Sequence, residues 1–86
     1  MKITFDPSKR AVTLQQRGLD MARAADVFEG STLSVEDNRI DYGETRWITI
    51  GHLDRRMVVQ VWTERRIISM RKANEREQAI YGARLG

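Results

Sequence analysis

Arg65, Arg66, Arg71 and Lys72 fall within one short stretch, and Arg46 and His52 lie upstream in a segment of alternating polarity. An arginine side chain presents a planar fork of donors that can grip a phosphate at two oxygens, and it keeps its charge at any physiological pH. Cleavage of RNA without a metal is a reaction that these residue types suit. The ribose 2′-hydroxyl attacks the adjacent phosphate, so a protein has to take one proton, hold the added negative charge and help the 5′ oxygen leave. Fixed cationic side chains do the second task, while His, Glu, Tyr or a perturbed Lys can move the protons. Arg46, Arg71 and one of Arg65 and Arg66 are the candidates for the phosphate, with Lys72 or His52 for proton transfer.

Other chemistries find little to work with. There is one histidine and no cysteine, and no acidic pair brackets His52 at ligand spacing, so neither a metal centre nor a cofactor is expected. The six glycines are scattered at positions that suit turns and caps, which leaves no phosphate-cradling loop. A serine nucleophile would have to borrow His52, and none of the four serines sits in a nucleophile elbow. The net charge of +3 is modest, but it is unevenly spread. Residues 1–45 carry a net −2 and residues 46–76 a net +5, with twelve of the fifteen basic residues being arginine. An arginine-weighted basic half, including Arg55 and Arg76 beside Arg65 and Arg66, reads either as a contact surface for RNA or as ordinary solvated charge. Trp47 and Trp62 either stack on bases or belong to the core or to a subunit contact. No apolar run approaches a membrane span and no signal peptide is visible, so a cytoplasmic protein is expected.

These residues need elements to position them, and the pattern supplies one domain over residues 1–86. Lys2–Phe5 reads as a short strand. Asp6-Pro7 opens a helix, by a carboxylate cap and a proline at the first helical position, and Gly18 closes it. Asp20 caps a second helix whose apolar face is Met21, Ala24, Ala25 and Phe28, ending at Gly30. The period then changes to two: Thr32–Glu36, a polar turn at Asp37-Asn38-Arg39, Arg46–Leu53, Met57–Thr63 as the central strand, and Ile67–Arg71. Alternation puts Arg46 on the face of His52, and Arg71 on the face of Ser69 and Ile67. Asn74 with Glu77 makes a capping box for a last helix to about Ala83. The predicted fold is α+β, in the order βααββββα, an antiparallel sheet with helices on one face. One place fits poorly. Glu64-Arg65-Arg66 has none of the residues that a tight hairpin favours, which leaves a strained turn, a longer-range pairing, or a chain lacking residues there.

Several strings resemble a known family. Ile67-Ile68-Ser69-Met70-Arg71-Lys72-Ala73-Asn74, followed by Glu75-Arg76-Glu77 and Tyr81, is similar to the ending of BrnT-type toxins. Tyr42-Gly43-Glu44-Thr45-Arg46-Trp47 resembles their strand entry, Gly51-His52-Leu53-Asp54 a turn, and Phe5-Asp6 with Lys9, Gly18 and Ala22–Phe28 their opening. The resemblance implies a RelE-like ribonuclease fold and the toxin half of a type II toxin–antitoxin pair. It also implies neutralisation by a BrnA-like ribbon-helix-helix antitoxin, in a hetero-oligomer that binds operator DNA through the antitoxin. Residue by residue it points to Glu44, Arg46, Arg71, Lys72, Glu77 and Tyr81. Glu44 and Glu77 then serve either as a base or as ion-pair partners of the arginines. Two departures stand out: Gln16-Arg17 replaces the family's usual Lys-His, and the segment between the last two strands is shorter than usual. A non-catalytic module that binds nucleic acid or protein, a degenerate toxin, is the alternative.

Overall fold

Asp6 and Pro7 start the first helix as their chemistry requires. The Asp6 carboxylate accepts the Ser8 N–H at 2.8 Å, and α1 runs from Pro7 to Arg17. Gly18 ends it in the left-handed region (φ 67°), where its N–H reaches the Leu14 carbonyl at 3.0 Å. The computed structural model describes residues 2–85. Asp20 caps the next segment through the Ala22 N–H, and also holds Arg10 of α1 in a two-pronged pair at 2.8 and 2.9 Å. That segment begins as a 3₁₀ turn (Met21–Arg23) and continues as α2 (Ala24–Glu29). A turn of three residues shifts the buried stripe to Met21, Ala24 and Val27. Ala25 and Phe28, expected on that stripe, are only partly buried.

Five strands follow the expected pattern: β1 (Thr4–Phe5), β2 (Leu33–Glu36), β3 (Trp47–Leu53), β4 (Arg56–Thr63) and β5 (Arg66–Lys72). They lie in the order β1-β5-β4-β3-β2, with β4 in the centre. The class is α+β as expected, but two features of the expected sheet are corrected. The sheet is mixed, because β1 runs parallel to β5 while every other pair is antiparallel. Period-two alternation looks the same for either strand direction, and β1 meets β5 across most of the chain rather than through a hairpin.

The helices also do not share one face. Leu19, Met21, Ala24 and Val27 pack on Leu53, Val58, Ile67 and Met70. The last helix, α3 (Glu75–Leu85), leans on the opposite face, where Leu85 and Tyr81 meet Ile50, Met57 and Val59. The signal was present in β4, whose run Met57-Val58-Val59 is apolar at both parities, as a strand covered on both faces must be. Asn74 and Glu77 form the expected capping box, with Glu77 N–H to Asn74 Oδ1 at 2.8 Å and Asn74 N–H to Glu77 Oε1 at 2.9 Å.

Gly51 shows how closely α2 approaches the sheet. A Cβ there would stand 2.8 Å from Val27 Cγ1 and 3.0 Å from Thr32 Cγ2. Gly51→Ala should therefore destabilise the fold by about 1–3 kcal/mol through overpacking. Thermal melting checks this, with an expected fall of roughly 4–8 °C per kcal/mol in a chain of this size.

Both hairpins are tight. Leu53 pairs with Arg56 and Thr63 with Arg66, leaving the two-residue loops Asp54-Arg55 and Glu64-Arg65. All four loop residues have positive φ (51°, 70°, 46° and 67°), the pattern of type I′ turns. The second turn is closed in the strained form, and no longer-range pairing replaces it. Two residue pairs beyond that turn the register slips: Trp62 pairs with Ile67, but Val61 pairs with Ser69, so Ile68 is an extra residue.

Candidate active site

The slip at Ile68 decides which side chains meet. Simple alternation placed Ile67 with Ser69 and Arg71. The extra residue instead turns Ile67 into the core beneath α2 and brings Arg66 to the side of Ser69 and Arg71. Cross-strand partners share a face, so the pairs Ile48–Val61–Ser69 and Ile50–Val59–Arg71 run across one side of the sheet. Arg46 alternates with Trp47 and falls on that same side. The faces of Arg46 and Arg71 therefore coincide, which alternation within each strand left undetermined.

That side has two halves. α3 covers Ile50, Met57 and Val59. Ile48, Val61 and Ser69 remain partly exposed, and cations surround them. The Arg46 Nε donates to Glu44 Oε1 at 3.3 Å, and Arg66 Nη2 reaches Glu44 Oε2 at 3.5 Å. Arg46 and Arg66 also line a cavity of about 290 Å³ with Lys9, Asp6, Thr4 and Ile68. Arg71 grips Glu77 with both Nη atoms, at 2.8 and 2.9 Å. Arg39, on the loop after β2, lies close enough for its charge to oppose the rise in Arg71 basicity that Glu77 causes. The result is an open, partly apolar patch ringed by four guanidinium groups, each with a carboxylate partner.

Glu77 is held from two directions. The Arg71 hydrogen bonds come first among the causes that draw its carboxyl down to about 2, with the Asn74 N–H and Coulomb attraction adding to them and burial opposing. A carboxyl lowered in the folded state contributes stability above its unfolded value near 4.5, and that contribution fades as pH falls toward 2. Stability should thus drop across this window by at most about 1 kcal/mol after allowance for solvent screening. Glu77→Gln should flatten that part of a melting-versus-pH curve.

The other sequence candidates lie elsewhere. His52 shares the face of Arg46 but stands six residues along β3, roughly 20 Å away at the rise of a strand. Arg55 sits in the hairpin at the same far end. Lys72 pairs with Val58 and so leaves β5 from the face opposite Arg71. Arg65 occupies the tip of the strained turn beside Arg66. Arg76 is exposed on the first turn of α3, and Tyr81 is a packing residue against the sheet. Trp47 and Trp62 stack at 6.3 Å on the α2 side, where Trp62 also meets Phe28 edge-on and donates its Nε1–H to Thr49 Oγ1. They lie on the face away from the arginines, so neither is available for base stacking at this patch.

Sequence reading missed Asp37, Arg39 and Tyr42. Asp37-Asn38-Arg39 reads as a polar turn, and nothing in its spacing shows that Asp37 is buried. Yet the Asp37 carboxylate accepts from Arg39 Nε and Nη2 at 2.8 and 2.7 Å and from the Tyr42 hydroxyl at 3.0 Å. The Tyr42 ring in turn carries the Arg46 guanidinium 4.0 Å from its centroid.

A family model described as the ribonuclease toxin BrnT of type II toxin–antitoxin systems matches residues 5–77. The chain belongs to the BrnT family. It is accordingly a ribonuclease toxin of a type II system, with an antitoxin as its partner. The BrnT match runs as far as Glu77 and so takes in Glu44, Arg46, Arg66 and Arg71. A comparison with the curated proteins gives no match. Among the described residues, no helix is long and apolar enough to cross a membrane.

Proposed function

We propose that this BrnT-family chain cleaves single-stranded RNA without a metal ion, at the patch between the 37–46 loop and the first turn of α3. The observation that carries the reading is that Arg46 and Arg66, which share Glu44, and Arg71, with Arg39 near it, stand on one face of the sheet around an uncovered part of it. The guanidinium groups supply directly the charge stabilisation that a metal would otherwise provide.

In this reading an RNA phosphate replaces Glu44 between Arg46 and Arg66, while Arg71 exchanges Glu77 for a second phosphate oxygen. The 2′ oxygen forms its bond to phosphorus, the bond to the 5′ oxygen breaks, and a 2′,3′-cyclic phosphate and a 5′-hydroxyl result. The departing 5′ oxygen takes a proton from water, and Glu44, displaced but adjacent, takes the 2′-hydroxyl proton. Its position gives it this role in preference to Lys72 and His52, which stand apart from the cluster. The cognate antitoxin, a BrnA-like ribbon-helix-helix protein, neutralises the toxin by covering these arginines, and the hetero-oligomer binds operator DNA through the antitoxin. The site of action is the cytoplasm, where the RNA is.

The test uses purified chain and labelled total RNA in EDTA. Shortened RNA with cyclic phosphate ends is the expected result. RNA that is retarded in a gel but stays full length would overturn the catalytic reading in favour of a non-catalytic binding module.

A further inference from the structure

We infer that Asp37 is a positioning residue of this site, a single buried carboxylate that aims both Arg39 and Arg46 across the open face. The inference rests on the RNA-cleaving reading above and adds to it the device that holds two of its cations in place.

The loop from Asp37 to Arg46 joins two neighbouring strands, yet it does little for the core. None of residues 38–45 is buried, Tyr42 alone is half-buried, and Ile40 is 63% exposed. An irregular stretch of this length keeps one shape only if something inside it replaces a core. Asp37 does so, with a side chain that is 1% exposed. Its backbone N–H donates to the Arg46 carbonyl at 2.8 Å, which closes the two ends of the loop together. Its carboxylate gathers the Arg39 fork, the Arg39 N–H at 3.2 Å and the Tyr42 hydroxyl. A carboxylate has no proton to donate and room for several acceptor contacts, so these donors complete it.

Both arginines depend on this arrangement. Arg39 is 69% exposed, and the carboxylate is what fixes the base of its guanidinium. Arg46 is fixed from below by the Tyr42 ring and from the side by Glu44. A long side chain otherwise samples many rotamers, and a displacement of about 1 Å at a reacting group can reduce rate by roughly a hundredfold. In Asp37→Asn, an amide N–H₂ would face donors where the carboxylate accepted, so the Arg39 fork and the Tyr42 hydroxyl would lose their shared partner.

The experiment measures kcat and KM on a short single-stranded RNA oligonucleotide in EDTA, for the wild type, Asp37→Asn, Tyr42→Phe and Tyr42→Ala. Alongside, NMR follows the Arg46 side-chain protons, which a ring 4.0 Å away shifts upfield. Asp37→Asn should lower kcat at least about tenfold with a smaller change in KM. It should also abolish the Arg46 shift. Tyr42→Phe keeps the ring but removes the hydroxyl that Asp37 holds, so it should weaken the shift and kcat in the same direction as Asp37→Asn, whereas Tyr42→Ala should lose both. If Asp37→Asn keeps the Arg46 shift, or keeps kcat, the inference is wrong. It is equally wrong if the losses simply follow the melting temperatures of the four proteins. A wild type that leaves the RNA intact overturns the RNA-cleaving reading instead, and the Arg46 shift then still decides whether Asp37 positions that arginine.

Discussion

Arg46→Ala and Arg71→Ala should each reduce RNA cleavage by about 10²–10³-fold, the usual loss when one preorganised donor to a developing negative charge is removed. Folding should hardly change. The Arg46 and Arg71 side chains are 27% and 45% exposed, and each is bound by a carboxylate at the surface, an arrangement worth at most about 1 kcal/mol. The two act on one phosphate in the proposed reaction, so the double variant should lose less than the product of the single losses. Arg84→Ala, on the last turn of α3, should cleave like the wild type. Cleavage of a labelled RNA measures all four variants, and growth arrest after induced expression gives an independent readout. Equal arrest by the wild type and Arg71→Ala, with both proteins folded, would remove Arg71 from the site.

Replacing Glu64-Arg65 by Asn-Gly should stabilise the protein by about 2–3 kcal/mol, since a side chain held in the left-handed region costs roughly 1–2 kcal/mol per residue. The expected result is a rise in melting temperature of at least 8 °C for a chain of this size. The other hairpin offers less, because Asp54 tolerates positive φ and its carboxylate is already held by Arg23 of the 3₁₀ turn. The backbone contact from Thr4 N–H to the Arg65 carbonyl, 2.9 Å, survives the exchange, so β1 should stay paired. No change in melting temperature would mean that the turn is not strained. Activity gives a second reading of the same variant: a raised KM with kcat retained would place Arg65 in contact with RNA, and unchanged kinetics would leave the phosphate to Arg46, Arg66 and Arg71.

Much of the fold was legible because its signals are local. Asp6-Pro7, Asp20 and Asn74 with Glu77 act on N–H groups within three residues, so the caps stand where the residue types place them. The strand at Ile48–Leu53 carries its own period, and Met57–Val61 the apolar, β-branched run of a strand covered on both faces. The site was legible only as a set of residue types. Glu44, Arg46 and Arg66 come together and Arg71 shares their face, whereas Lys72 departs to the other face by one step of alternation and His52 by most of a strand length. Asp37 left no trace in the sequence, because burial of a turn carboxylate depends on what folds over it.

The uneven arrangement of charge, the arginine-rich second half and the order of the elements belong to the sequence itself, since each is a property of neighbouring residues. Which arginines share a surface was decided only in three dimensions. One extra residue at Ile68 turns Arg66 to the side of Arg71, the pairing of β3 with β4 and β5 brings Arg46 to that side, and α3 covers half of it while leaving the rest open. These outcomes depend on register between segments distant in the chain, and a shift of a single residue reverses the face of every side chain beyond it.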